Sequence, residues 1–382
     1  MHYFIFPDAD TTLYSVSSSQ NTGLDEILEI RKDHTKADGS SPTVSRILMK
    51  FDLAYISQSI VRGTITNPKF YINLYDANPV DLSYSQSLYA YPVSQSWVVG
   101  EGFRFDDPIT SEGCSWEYRT SLETKDYWNP AESSDNHKQG GAFYGEVYAS
   151  QSFEYKTKDV RMDVTPIVNK WLDNTYPNEG FIIKRSGSLG LRNNVSGSGE
   201  EGDATRRGNF AFFSRQTNTI YPPKLEVEWY DTKWSTGSLS ALSSTELEDL
   251  TFYMKSLRTE YKEKSKIKFR VVGRGKYPTK SYSNTSSEYL TVKYLPSGSV
   301  SNIGGDGAYY SVKDAQSGDV IIPFGSGSLI SCDSTGNYFN LWMDGFQSER
   351  LYDFEFKIVS GSDTVDETFQ DFDDGFTFKV VR

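Results

Sequence analysis

The chain reads as all-β, and three observations predict it. Aromatic residues make up 15% of the 382 positions, with 26 Tyr and 23 Phe beside 30 Gly, a bias toward pleated surfaces and the turns that join them. Apolar residues recur at every second position over short runs, the period of a half-buried strand and not of a helix. The clearest run is 45–53, where Ile47, Met49, Phe51 and Leu53 alternate with Arg46, Lys50 and Asp52. That pattern predicts one face in a core and one charged face outward. The length suits two domains. The expected architecture is an N-terminal jelly-roll-like β-sandwich over 1–232, a Ser/Thr/Gly-rich linker over 233–244, and an immunoglobulin-like β-sandwich over 245–382.

In chain order, short strands are expected at 2–6, 10–16 and 25–32, with Asn21-Thr22-Gly23 as a turn and a polar loop over 34–43 leading into 45–53. Strands at 70–75, 88–93 and 96–99 follow, the first alternating Phe70, Ile72 and Leu74 with Tyr71 and Asn73. Residues 100–141 then lose periodicity. Close behind Trp97 they hold Phe103, Phe105, Trp116, Tyr118, Tyr127 and Trp128 among Gly, Pro, Asp and Ser, which reads as a long ordered flap that is functional or covers something. Residues 163–172 predict a helix, with Thr165 as N-cap, Pro166 in the first turn, and Ile167, Val168, Trp171 and Leu172 as one apolar stripe. A Gly/Ser loop with acidic residues spans 186–203, between strands at 181–184, 209–214 and 224–229.

Beyond the linker, 246–261 fits two patterns. A helix would line up Leu247, Leu250, Met254, Leu257 and Tyr261 behind a Ser243/Glu246 capping box; a strand would alternate Leu250, Phe252 and Met254 with Thr251, Tyr253 and Lys255. The strand is the preferred reading, with 258–266 as a charged turn of a hairpin into Ile267, Phe269 and Val271. Strands at 289–294, 309–312, 320–323, 338–343, 351–359 and 376–381 complete the sandwich.

The chemistry-bearing residues point away from catalysis. His2, His34 and His137 are the histidines, without His-x-x-x-His or Cys-x-x-Cys spacing, so no zinc site is expected. Cys114 and Cys332 lie too far apart in sequence to imply a disulfide framework. The stretch 273–276 lacks the phosphate-loop spacing, and no nucleophile elbow occurs. Glu101, Asp106, Asp107, Glu112 and Glu117 are the acidic cluster a glycosidase would have to use, but they read as a solvated loop. The runs Glu200, Glu201, Asp203 and Asp371, Asp373, Asp374 lack EF-hand spacing. No catalytic residue, metal or cofactor is therefore expected.

Trp97, Trp116 and Trp128 either stack on sugar faces or fill a core or an interface, and the second is preferred in a chain this aromatic. Arg215 reads as an internal ion-pairing or loop-tying residue. A net charge of −12, negative in both halves, argues against duplex binding. Residues 1–6 have neither a basic start nor a long apolar run, so neither a signal peptide nor membrane insertion is expected.

The N-terminal half resembles the DNRLRE family of β-sandwich, carbohydrate-binding-like modules. The landmarks are Asp10-Thr11-Thr12-Leu13, Asn21-Thr22-Gly23, the 45–53 run, Ser96-Trp97, Asp163-Val164-Thr165 with Trp171, Gly180-Phe181, and Phe213-Ser214-Arg215-Gln216 before Pro222-Pro223-Lys224-Leu225. The C-terminal half resembles structural proteins of large marine contractile-tailed phages, through 269–274 with Lys276-Tyr277-Pro278-Thr279-Lys280, Tyr309-Tyr310-Ser311-Val312-Lys313-Asp314-Ala315 leading to Ile321-Ile322-Pro323-Phe324, and 337–351. The resemblances imply a non-enzymatic virion structural protein, made in the host cytoplasm and placed in neck, tail or baseplate as adaptor or decoration. Its partners would be other virion proteins in a symmetric homo- or hetero-oligomeric assembly. The alternative is a glycan-binding module that attaches to host-surface polysaccharide through Trp97, Trp116 or Trp128.

Overall fold

The computed structural model describes residues 1–34, 42–79, 82, 85–128, 140–154, 159–188, 198–203, 205–277, 291–299, 305–360 and 368–382. Most of the expected 34–43 loop, part of the flap (129–139), part of the 186–203 loop, 278–280 of the Lys276-to-Lys280 motif and the start of the 289–294 strand lie outside the described residues. The chain is all-β with sandwich-like antiparallel sheets. It divides into two compact units: Ile5–Val61 with Lys69–Glu226, and Met1–Phe4 with Arg62–Pro68 and Val227–Arg382.

The strands met first are β1 (His2–Ile5), β2 (Ala9–Tyr14), β3 (Ile27–His34), β4 (Pro42–Lys50), β5 (Lys69–Leu74) and β6 (Ser85–Pro92). They are followed by β7 (Ala149–Glu154), β8 (Val160–Asp163), β9 (Phe181–Lys184), β10 (Gly208–Phe213) and β11 (Lys224–Glu228). In the N-terminal unit one sheet runs β10-β3-β4-β9-β6-β7, with β2 also paired to β4, while β11, β5 and β8 lie side by side in another. Strand β4 is central. Leu48 pairs with Thr11 of β2 and with Ile182 of β9, and β3 meets the N-terminal end of β4 at Val44.

The structure departs from the 45–53 pattern in two ways. The strand stops at Lys50, because the Asp52 carboxylate accepts the Ala54 N–H at 2.8 Å and starts helix α1 (Ala54–Val61), which the sequence reading missed. Both faces of β4 are also buried: Ile47 and Met49 are fully enclosed as expected, but so are Leu48 and nearly all of Arg46. Of the expected charged outer face, Arg46 is interior, whereas Lys50 is half-buried and Asp52 is exposed as expected.

Helix α2 (Thr165–Leu172) forms where predicted and buries Ile167, Val168 and Trp171, with the Trp171 ring 4.5 Å from that of Phe181. Its start differs in detail. Val164 is the N-cap, the Asp163 carboxylate accepts the Thr165 N–H at 3.0 Å, and the Thr165 hydroxyl instead accepts the Phe70 N–H at 2.9 Å. Helix α3 (Gly199–Gly202) is a single turn.

In the C-terminal unit the 246–261 ambiguity resolves into both elements. Ser243 and Glu246 form the capping box of a short helix, α4 (Ser244–Glu248), and a strand follows at once. The strands here are β12 (Ser240–Ala241), β13 (Leu250–Lys255), β14 (Glu260–Lys262), β15 (Lys266–Gly275), β16 (Lys293–Tyr294), β17 (Gly307–Asp314) and β18 (Val320–Ile322). The last four are β19 (Ser331–Asp333), β20 (Gly336–Trp342), β21 (Leu351–Ser360) and β22 (Thr368–Val381). One sheet has the order β13-β15-β20-β19 and the other β14-β22-β21-β17-β18.

The leading segment of this unit begins in one sheet, as β13, and crosses to the other, as β14. The crossing corrects the expected 258–266 turn. Strand β13 does pair with β15, but between them β14 leaves to run parallel to β22, with Tyr261 beside Val380. Tyr261 is buried against Phe269, and the Phe354 ring lies 4.9 Å from Phe269, 5.4 Å from Phe339 and 4.7 Å from Phe378. These rings join the two sheets as an aromatic core.

Candidate functional site

The described part of the 100–141 flap packs as a second layer on one face of the N-terminal sheet. Trp116 and Trp128 are buried in one cluster with Leu13, Val44, Leu48 and Ile182, side chains of β2, β4 and β9. This is why β4 shows no exposed face. Burying an indole leaves its N–H to be satisfied, and Trp128 donates to the Ser115 carbonyl at 2.9 Å. Trp97 is half-buried at the margin of the same cluster and donates to the Glu179 carbonyl at 2.8 Å. The structure thus gathers the three tryptophans singled out in the sequence, but as packing. A fully enclosed indole presents no ring face to a sugar, so Trp116 and Trp128 are not a stacking platform.

Two sets of polar contacts hold the flap down. The first centres on Asn21 of the Asn21-Thr22-Gly23 turn. Its buried amide donates to the carbonyls of Val99 at 2.7 Å and Cys114 at 2.8 Å, and its side-chain oxygen accepts the Gly102 N–H at 2.8 Å. The fit is close enough that Gly113, at φ +102°, would bring a Cβ to 2.4 Å from the Asn21 amide nitrogen. Gln20 adds a bond to the Phe103 carbonyl at 2.6 Å, and the Asp25 carboxylate accepts the Arg104 N–H at 3.1 Å. Burial pushes the Asp25 carboxyl up to about 6 against the opposing Arg104 contacts.

The second set is ionic and lies on the β4 face. Arg46 donates to both carboxylate oxygens of Glu201, at 3.0 and 2.6 Å, and to the Gly140 carbonyl of the flap at 2.6 Å, while its guanidinium lies 4.8 Å from the Trp116 ring. Glu201 is fully buried, and Lys184 reaches the same carboxylate at 3.3 Å. Lys32 is buried beside them and bonds the backbone carbonyls of Glu201 and Asp203 at 2.7 and 2.8 Å. Burial lowers the Lys184 ammonium to about 8 despite the neighbouring carboxylate. Within the 200–203 acidic run, Glu201 is therefore an internal counter-charge, while the partly exposed Glu200 and Asp203 pair with Arg207. Among the described residues no cluster of His, Cys, Asp or Glu could hold a metal ion.

Between these anchors the flap tip stands out in solvent. Phe105 is 87% exposed, and Phe103, Ile109 and Val98 are each nearly half exposed. The tip is nonetheless fixed. The Asp106 carboxylate accepts the Phe103 N–H at 2.8 Å and the Thr110 hydroxyl at 3.3 Å, and Arg104 is clamped between the Glu29 carboxylate, the Tyr14 ring at 4.4 Å and the Phe105 ring at 5.2 Å. Of the flap carboxylates, Asp106 thus shapes the loop. Arg215 ties a different loop, as read: its backbone N–H bonds Asp10 at 2.7 Å and its side chain lies 3.7 Å from the same carboxylate.

Sequence reasoning located the flap but missed what makes it a surface. The exposed Phe103 and Phe105 look identical in sequence to the buried Trp116; a Phe-Arg-Phe-Asp-Asp-Pro string, apolar residues flanking turn formers, was the available signal. No family model, curated protein or solved structure matches the chain.

Proposed function

We propose that this chain is a non-enzymatic structural protein of a tailed-phage particle, acting through protein-protein interfaces, with the flap tip as one contact surface. The observation behind this reading is the rigid display of apolar side chains between 103 and 109. Exposed Phe residues cost solubility, and a loop this heavily bonded loses little further entropy when a partner covers them. The phage setting rests on the resemblance of the C-terminal half to structural proteins of contractile-tailed phages. An adaptor or decoration in neck, tail or baseplate needs interfaces and two stable folding units, and both sandwiches suit that role.

The test is quantitative mass spectrometry of purified particles. The chain is expected at a fixed copy number per virion, and Phe105→Ser, an exposed substitution that leaves folding intact, is expected to lower its incorporation. Recovery only in infected-cell lysate, or unchanged incorporation of the variant, counts against the reading.

A further inference from the structure

The outer face of the β13-β15-β20-β19 sheet differs in charge from the rest of an acidic chain. Along β15, Lys266, Lys268 and Arg270 occupy alternate positions, opposite in direction to the buried Phe269 and Val271. A two-residue step on a strand is about 6.6 Å, so the three cations form a straight row. Lys255 faces Arg270 from the neighbouring strand, and Arg258 follows in the segment that leaves for β14. These five cations line a groove of about 450 Å³, and among the described residues its lining contains no carboxylate.

The face already holds one carboxylate. Asp333, at its margin, accepts from Arg270 at 2.6 and 2.7 Å and from Lys268 at 2.8 Å. Lys255, Arg258 and Lys266 make no ion pair among the described residues. Aromatic rings are interleaved with the charges: Lys268 sits 3.7 Å from the Tyr338 ring centre, Lys266 4.9 Å from that of Trp342, and Tyr253, paired with the groove residue Val272, is 43% exposed. The exposed hydroxyls of Ser256 and Thr335 complete the lining.

We infer that this groove binds an acidic polysaccharide, with uronate carboxylates on Lys255, Arg258 and Lys266 and a sugar ring against Tyr253. Charge complementarity selects a polyanion. A concave site of this volume, in the range of about 300–1,000 Å³ usual for small-ligand clefts, with hydroxyls in its lining and the exposed Tyr253 ring on the adjoining strand, suits a sugar unit better than the broad surface of an acidic protein. The site shares no residue with the flap tip and does not depend on it.

Affinity electrophoresis of the intact chain tests it, using gels that contain alginate, a uronate polymer, or neutral dextran. Retardation by alginate and not by dextran is expected, weakening as salt is raised. The exposed double substitution Lys255→Glu/Lys266→Glu is expected to weaken retardation about tenfold, with unchanged circular dichroism, whereas Phe105→Ser should be retarded like the parent. Three results overturn the inference: no retardation by alginate, a double variant retarded like the parent, or displacement by poly-glutamate as effective as by uronate oligomers, which would assign the groove to an acidic protein. A chain found in virions that ignores alginate loses this inference and keeps the interface reading.

Discussion

Asn21 does for the flap what a disulfide does for a smaller domain, with hydrogen bonds alone. Its side chain satisfies two carbonyls and one N–H of residues some eighty to ninety positions away, and truncation would remove a partner from all three, two of them, the Cys114 carbonyl and the Gly102 N–H, in buried bonds. Asn21→Ala is expected to lower stability by about 2–4 kcal/mol in urea unfolding, and an effect under about 0.5 kcal/mol would show that water replaces the amide. Asp10 offers a second residue-level test. Burial raises its carboxyl to about 6, against the Arg215 N–H and guanidinium, while an unfolded aspartate titrates near 3.8. The folded state therefore holds this proton more tightly than the unfolded chain. Stability from the neutral carboxyl is complete below about 4 and is lost as pH rises through 6. Asp10→Asn keeps an acceptor for Arg215 and does not ionise, so it should match the parent at pH near 4 and exceed it by about 1–3 kcal/mol at pH near 7. A constant difference across that range would refute the assignment.

Among the elements, β4 shows how an isolated pattern misleads. Alternation placed Ile47 and Met49 in the core correctly, and the same alternation placed Arg46 in solvent, because a period of two says which residues share a face and not what covers that face. The cover is the aperiodic flap, whose carbonyl at Gly140 and ring at Trp116 meet Arg46 only after folding. Removing the charge of Glu201 would strand Arg46 and Lys184 in a dry interior. Glu201→Gln is expected to cost about 3–5 kcal/mol and to speed proteolytic cutting within the flap. The paired replacement Arg46→Met/Glu201→Leu should recover much of the loss, since it removes both buried charges together. If Glu201→Gln melts like the parent and resists protease equally, the ionic set does not hold the flap. At the other end of the chain, the capping box at Ser243 and Glu246 and the alternation from Leu250 were each locally correct, and the helix-or-strand choice was a false alternative: five residues are helix and, after Asp249, six are strand.

At the scale of the molecule, composition and period carried the fold class and tertiary structure carried the surfaces. A chain of net charge −12 gathers five cations around one groove, and a chain with 15% aromatics exposes Phe105 while enclosing Trp116 and Trp128. Neither choice follows from residue counts. No helix among the described residues is long and apolar enough to cross a membrane.

By itself the sequence determined that the chain would form sheets, where most strands would lie, and that α2 would present Ile167, Val168 and Trp171 to a core, because backbone period and local capping act over a few residues. Only the tertiary structure decided that β14 crosses between sheets, that Arg46 is an inner residue, and which aromatics of the flap meet water. Those outcomes depend on what lies opposite a face once distant segments meet, such as Asn21 with Cys114 or Arg46 with Glu201, and a local pattern holds no record of its future neighbours.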